Sequence, residues 1–209
     1  MANLIVSSPF EVLTRPLLLK ARNRKPPALG QEVRVEAVRA TPTSDEPGLR
    51  ALVNGAGMKD TDRDGLTECG VNRSDMWLGR WSTNLCLEFE LPQPVPLAAI
   101  EVWNFNAEWQ TTNGLRKADI AVSPDGTNWQ TVLRGAEFSE AEGTADYDTP
   151  AVLKLNGVIA QRIRFENLVP WSSSGNVGLS EVVFHRAAHQ TKAASKPPVH
   201  ELRAFAPGT

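Results

Sequence analysis

The sequence is sparing with the residues that most often carry chemistry. Its 209 residues include two cysteines, Cys69 and Cys86, too few for a disulfide framework and without the CxxC spacing of a thiolate zinc site. Whether the two form one bridge or stay reduced is open at this level. The three histidines (His185, His189, His200) all fall near or beyond the end of the last patterned segment. A Ser-His-Asp or Cys-His arrangement would have to borrow its histidine from the tail. His185 and His189 are spaced i, i+4, but no HExxH acid accompanies them. No Walker-type or GxGxxG loop is present for phosphate. No apolar run approaches the roughly 18 residues that span a bilayer. Leu4-Ile5-Val6 is too short, and too soon followed by Glu11 and Arg15, to read as a secretion signal. These shortages set aside metal-thiolate, nucleotide-binding and membrane-spanning classes. Carboxylates are plentiful, Asp146 and Asp148 among them, but a Gly-rich acidic loop explains that pair as well as glycoside hydrolysis does. The expectation is a protein without catalytic residues.

Charge is the first positive signal. The formal total of −2 conceals a division along the chain. Residues 1–31 hold Arg15, Lys20, Arg22, Arg24 and Lys25 against Glu11. Residues 185–209 hold Arg186, Lys192, Lys196 and Arg203 against Glu201. The middle is strongly acidic, which argues against nucleic acid as a partner, because phosphate neutralisation needs clustered Lys and Arg. Pro26-Pro27 and Pro197-Pro198 discourage regular structure at both ends. The chain therefore divides into a basic arm (1–31), a body (32–186) and a tail or linker (187–209).

Sustained 3.6-residue periodicity is absent from the body; alternation with period two takes its place. Val33–Val38, Leu85–Leu91, Ala99–Trp103, Ala118–Val122, Trp129–Leu133, Ala151–Leu155, Arg162–Phe165 and Glu181–Phe184 each read as a half-buried strand. In the second of these, Leu85, Leu87, Phe89 and Leu91 share one face and Glu88 and Glu90 the other. Ser123-Pro-Asp-Gly-Thr-Asn128 has hairpin-turn chemistry. About eight short strands predict an all-β fold, an antiparallel β-sandwich with extended terminal arms.

Three stretches carry a resemblance. Ile120-Ala-Val-Ser-Pro-Asp-Gly-Thr-Asn-Trp129 resembles the YSxDGxxW hairpin of discoidin, or coagulation factor V/VIII C-type, domains. Ile100-Glu-Val-Trp-Asn-Phe-Asn106 with Thr111-Thr-Asn-Gly114 is similar to their middle. Arg162-Ile-Arg-Phe-Glu-Asn167, Trp171 and Gly178-Leu-Ser-Glu-Val-Val-Phe184 resemble their closing strands. The likeness covers about residues 33–186 and is nearest to bacterial carbohydrate-binding modules of family 32. It implies a jelly-roll, galactose-binding-like sandwich, a glycan partner and an extracellular or cell-surface setting. Fold alone does not name the ligand.

Two further features suggest sites. Asp60-Thr-Asp62-Arg-Asp64-Gly65 matches the first half of a D-x-D-x-D-G calcium loop, whose alternate oxygens suit a hard cation. Val71 at the twelfth position cannot ligate through its side chain, and the flanking helices of an EF-hand are missing. Any remaining ligand comes from elsewhere, and the resemblance implies Glu181. Such a Ca²⁺ would be structural. Six Trp against one Tyr is the second feature. Trp77, Trp103 and Trp129 read as core and Trp81 as ambiguous, whereas Trp109 and Trp171 lie among Asn, Gln, Thr and Ser. An indole in such a loop suits a stacking platform for a sugar ring. Asn104, Asn106, Glu108, Arg116 and Asn176 are the polar candidates near them. The expected function is a non-catalytic carbohydrate-binding module of weak affinity, with Kd on the order of mM to µM. The competing expectation is an adhesion or assembly domain that docks a protein partner, another domain or a second copy through its basic arms.

Overall fold

The computed structural model describes residues 29–42, 46–61 and 65–187. The arms expected at 1–31 and 187–209 fall almost wholly outside that range, as do Asp62 and Asp64. Ten strands are present among the described residues: β1 (Gln31–Val33), β2 (Ala37–Thr41), β3 (Met58–Lys59), β4 (Glu68–Cys69), β5 (Trp77–Arg80), β6 (Cys86–Asn104), β7 (Leu115–Ser123), β8 (Gln130–Glu137), β9 (Ala151–Pro170) and β10 (Asn176–Arg186). All pairings between them are antiparallel. The order across the main sheet is β1-β10-β6-β9-β7-β8, with β2 on β6 and β5 on β10, and β3 and β4 form a small ribbon. Among the described residues no helix is long and apolar enough to cross a membrane.

The expected sandwich is the observed architecture, with strand boundaries redrawn. The runs 85–91 and 99–103 join into β6, and 151–155 and 162–165 join into β9. The two long strands stay paired across register shifts between Glu90 and Val95 and between Leu97 and Ala99. The first shift spans Pro92 and Pro94, where proline removes ladder donors. One end of β6 pairs with β2 and the other with β10, so β6 and β9 serve both layers. The run Val33–Val38 instead divides between β1 and β2.

Alternation along β6 buries Leu87, Phe89 and Leu91 and turns Glu88 and Glu90 outward. Phe89 meets Phe165 at 5.4 Å and Phe184 at 5.3 Å, ring centre to ring centre. The second contact crosses from the β2 end of β6 to β10 and so ties the layers together. Trp77 and Trp103 are core, as expected. Trp129 is not. It lies half-buried under the guanidinium of Arg164 at 3.7 Å, on an outer face where Glu88, Arg162 and Glu90 form a charged ladder. The turn Ser123–Asn128 is held by Asp125, which accepts from the backbone N–H groups of Thr127 and Asn128. Both cysteines are free thiols, Cys69 buried and Cys86 partly so.

Candidate functional site

The end of β6, the start of β7, the end of β8, the end of β9 and the start of β10 all lie at one end of the sandwich. Strand pairing dictates this, since Leu179 faces Asn104, Leu115 faces Pro170 and Lys117 faces Glu137. Three loops leave there: 105–114, 138–150 and 171–175. Two buried amides bind them into one unit. Asn104 donates to the carbonyls of Leu115 (2.7 Å) and Ser139 (2.6 Å), and its oxygen accepts from the N–H groups of Phe105 and Leu115. Asn106 donates to the carbonyls of Cys69 (2.9 Å), Gly70 (3.1 Å) and Thr144 (2.7 Å), and accepts from Gly143 N–H at 2.8 Å. Gly114 packs against the first clamp, where an added Cβ would stand 2.6 Å from Asn104 Oδ1. Beneath them lies a small core in which Trp103 meets Tyr147 edge-on at 5.5 Å.

This corrects the sequence expectation for Asn104 and Asn106. Both side chains are buried, and their donors and acceptors are taken up by backbone groups. They shape the loops rather than face a ligand. A buried polar group is retained when its hydrogen bonds are made, and these are.

The two polar-flanked tryptophans do reach the surface. Trp109 is 92% exposed and Trp171 39%. Trp109 also holds a left-handed backbone with φ of 63°, unusual for a bulky residue and costly by roughly 1–3 kcal/mol. Its loop is tied to that of Trp171. Trp171 N–H donates to Gly114 O at 3.0 Å, and the Ser174 hydroxyl donates to Asn113 Oδ1 at 2.6 Å. Thr111 anchors the same loop to Glu140 at 2.6 Å. Trp171, Arg116, Lys117, Glu137, Phe138, Ser139 and Glu140 surround a depression of about 320 Å³. The Arg116 guanidinium stands 6.0 Å from the centre of the Trp171 ring. Glu108 is exposed beside Trp109, and Asn176 is half-buried at the start of β10. Sequence reasoning missed the contribution of 137–140, because only the pairing of β7 with β8 brings that segment beside Trp171.

The profile of the F5/8 type C domain matches residues 55–182, more than half of the sequence. The chain belongs to that family. Among solved structures, this F5/8 type C domain is similar to a truncated AlyQ with CBM32 and alginate lyase domains. The TM-score is 0.51 at 15% identity, covering 76% of this chain and 34% of that one. The family 89 glycoside hydrolase of Clostridium perfringens, in complex with PUGNAc, gives 0.51 at 16% identity over 77% of this chain and 15% of that one. A pectin-binding carbohydrate-binding module gives 0.48 at 20% identity, covering 75% and 94%. At these identities the likeness concerns the fold. A search of curated proteins found no match.

A second recess of about 540 Å³ involves β1, β6 and β10 of the F5/8 type C domain. Glu181 is the buried acid in it, 4% exposed, with Gly55 N–H donating to Oε2 at 3.1 Å. Burial drives its pKa up to about 8, and the charge of Glu32 adds to the rise against the Gly55 hydrogen bond. Asn54, Met58, Thr67, Glu101 and Trp103 are among its other walls; Asp60 is not. Asp60 instead accepts from Gly65 N–H at 3.2 Å within its own loop. Among the described residues no group of three His, Cys, Asp or Glu is placed to hold a metal ion. The described part of the acidic loop therefore does not join Glu181 in one ligand set. His185, set aside as a metal ligand, is buried and meets Glu101 at 3.0 Å; His189 lies outside the described residues.

Proposed function

We propose that this F5/8 type C domain is a non-catalytic carbohydrate-binding module that captures glycan at the loop end of the sandwich, by stacking on Trp109 and Trp171. One observation carries the reading. A large apolar ring stands almost fully exposed, on a strained backbone, in a loop that buried amides and interloop hydrogen bonds hold in place. An indole left to solvent at this cost gains from a ligand that covers it, and a pyranose ring presents the flat C–H face that suits it. Glu108 and Asn176 are the neighbouring polar groups. The adhesion alternative rests on the basic arms, which lie outside the described residues, and no described feature favours it.

Glycan-array screening followed by calorimetric titration tests this. Trp109→Ala and Trp171→Ala are each expected to weaken binding about tenfold or more, at unchanged fold, since loss of roughly 1.4 kcal/mol is a factor of ten. Trp109→Gly is expected to weaken binding equally while leaving the domain slightly more stable, because glycine adopts the left-handed backbone freely. Affinity unmoved in all three variants removes the site, and no binding to any glycan removes the function.

The reading includes a structural Ca²⁺. Supporting it is the Glu181 carboxyl, buried in a polar recess without a cationic hydrogen-bond partner, a setting that a hard cation would relieve. Glu181 would ligate, and Asp62 and Asp64, which lie outside the described residues, are the remaining candidates for the set. Adding millimolar Ca²⁺ to chelator-stripped protein is then expected to raise Tm by about 5 °C or more, if the site saturates near a hundredfold excess over Kd. Glu181→Gln should abolish the rise. An unchanged Tm in the wild-type domain counts against the ion.

A further inference from the structure

We infer that the loop-end site is built for a glycan bearing an anionic substituent, a carboxylate or a sulfate ester, which Arg116 receives beside the Trp171 stacking face. The inference rests on the glycan reading above and narrows its ligand class.

The argument begins with the backbone. β7 and β9 pair Leu115 with Pro170 and then Lys117 with Val169, so two steps on β7 match one on β9. Arg116 is the extra residue. Such a bulge removes a residue from the ladder and re-aims its side chain. The displaced backbone is itself secured, since Phe138 N–H donates to Arg116 O at 2.9 Å. The side chain emerges exposed, its guanidinium 6.0 Å from the Trp171 ring centre and on the wall of the 320 Å³ depression.

Among the described residues Arg116 forms no ion pair or side-chain hydrogen bond, while the other charges around the depression are already engaged. Lys117 binds Glu137 at 2.8 Å. Glu140 accepts the Thr111 hydroxyl at 2.6 Å. Lys117 and the nearby Arg116 both hold the Glu137 carboxyl below its usual range. The depression thus offers one guanidinium whose N–H groups form no hydrogen bond or ion pair among the described residues, at the rim of an aromatic face. A guanidinium is a planar fork that matches a carboxylate or sulfate through two parallel hydrogen bonds, and it gains less from a neutral hydroxyl. Stacking supplies affinity for any pyranose, whereas Arg116 separates charged sugars from neutral ones.

The test titrates the full chain with two ligand pairs: uronic-acid oligosaccharides with their carboxyl-reduced forms, and sulfated galactose oligosaccharides with their desulfated forms. In at least one pair the charged member is expected to bind about tenfold tighter. Raising salt from 50 to 500 mM should erode that advantage several-fold and leave neutral binding unchanged. Arg116→Ala, at an exposed position, should erase the advantage while retaining neutral binding, and Arg116→Lys should restore part of it. The pair that shows the advantage identifies the substituent. Equal affinity within both pairs, or an Arg116→Ala variant that loses charged and neutral ligands alike, overturns the assignment. Neutral-only binding on the array overturns it and leaves the glycan reading intact. Binding to neither class overturns both.

Discussion

Asn106→Ala is expected to cost about 3–5 kcal/mol and to lower Tm by roughly 10 °C, the largest single effect of any polar substitution at the loop end. The side chain that would be lost satisfies three carbonyls and one N–H, on segments 69–70 and 143–144. Truncation leaves these groups facing one another at a fully buried position, and an unsatisfied buried polar group costs about 1–3 kcal/mol. Asn106→Asp is the sharper control. It keeps the volume but turns an acceptor toward three carbonyl oxygens, so it should destabilise at least as much. Thermal melting measures both. Because Asn106 does not face the depression, the variants should lose glycan affinity through disorder of the loops and recover part of it on cooling. A variant as stable as the wild type would show that the loops are held by other contacts.

In metal-free domain, stability is expected to fall as pH rises from about 5 to about 8.5, and Glu181→Gln should remove most of that fall. The sign follows from the raised pKa. Unfolded, the carboxyl ionises near its ordinary 4.5; folded, burial delays ionisation to about 8. Its stabilising contribution is complete below about 4.5 and is lost as pH climbs through about 8, because the unfolded chain releases its proton first. The full swing is on the order of 4 kcal/mol. The groups around it are Glu32 and Arg34 on the β1 side, Glu101 on β6, and His185 further along its own strand. All remain in the variant, so the difference between the two melting curves reports Glu181. Parallel curves would mean that the carboxyl is ionised in the folded domain.

The residues of this domain divide by how far their roles could be read in advance. The alternation of Leu85, Leu87, Phe89 and Leu91 against Glu88 and Glu90 named both the strand and its buried face, because a period of two is a local property of an extended chain. Gly178–Phe184 and the Asp125 turn likewise carried the family with little ambiguity. The exposed state of Trp109 and Trp171 was legible from their polar neighbours. Asn104 and Asn106 stand in the same polar-rich stretch as Trp109, yet only the indole reaches solvent. Polar neighbours suggest exposure, yet an amide goes inward when distant carbonyls meet it, and those of Ser139 and Thr144 arrive from more than thirty residues away. Trp129 erred in the opposite direction, since alternation cannot say which face of a strand finds Arg164.

By itself, then, the sequence determined most of the strands, the sandwich and the family, together with the two indoles that reach solvent. These depend on periodicity and on turn chemistry, which act over a few residues. Tertiary structure alone decided which amides became clamps, which acid was buried at Glu181, and that a one-residue bulge would set Arg116 beside Trp171. Those outcomes depend on strand register and on which carbonyl or ring is delivered across the sandwich. Neighbours in sequence do not encode that delivery; the whole fold must close before it exists.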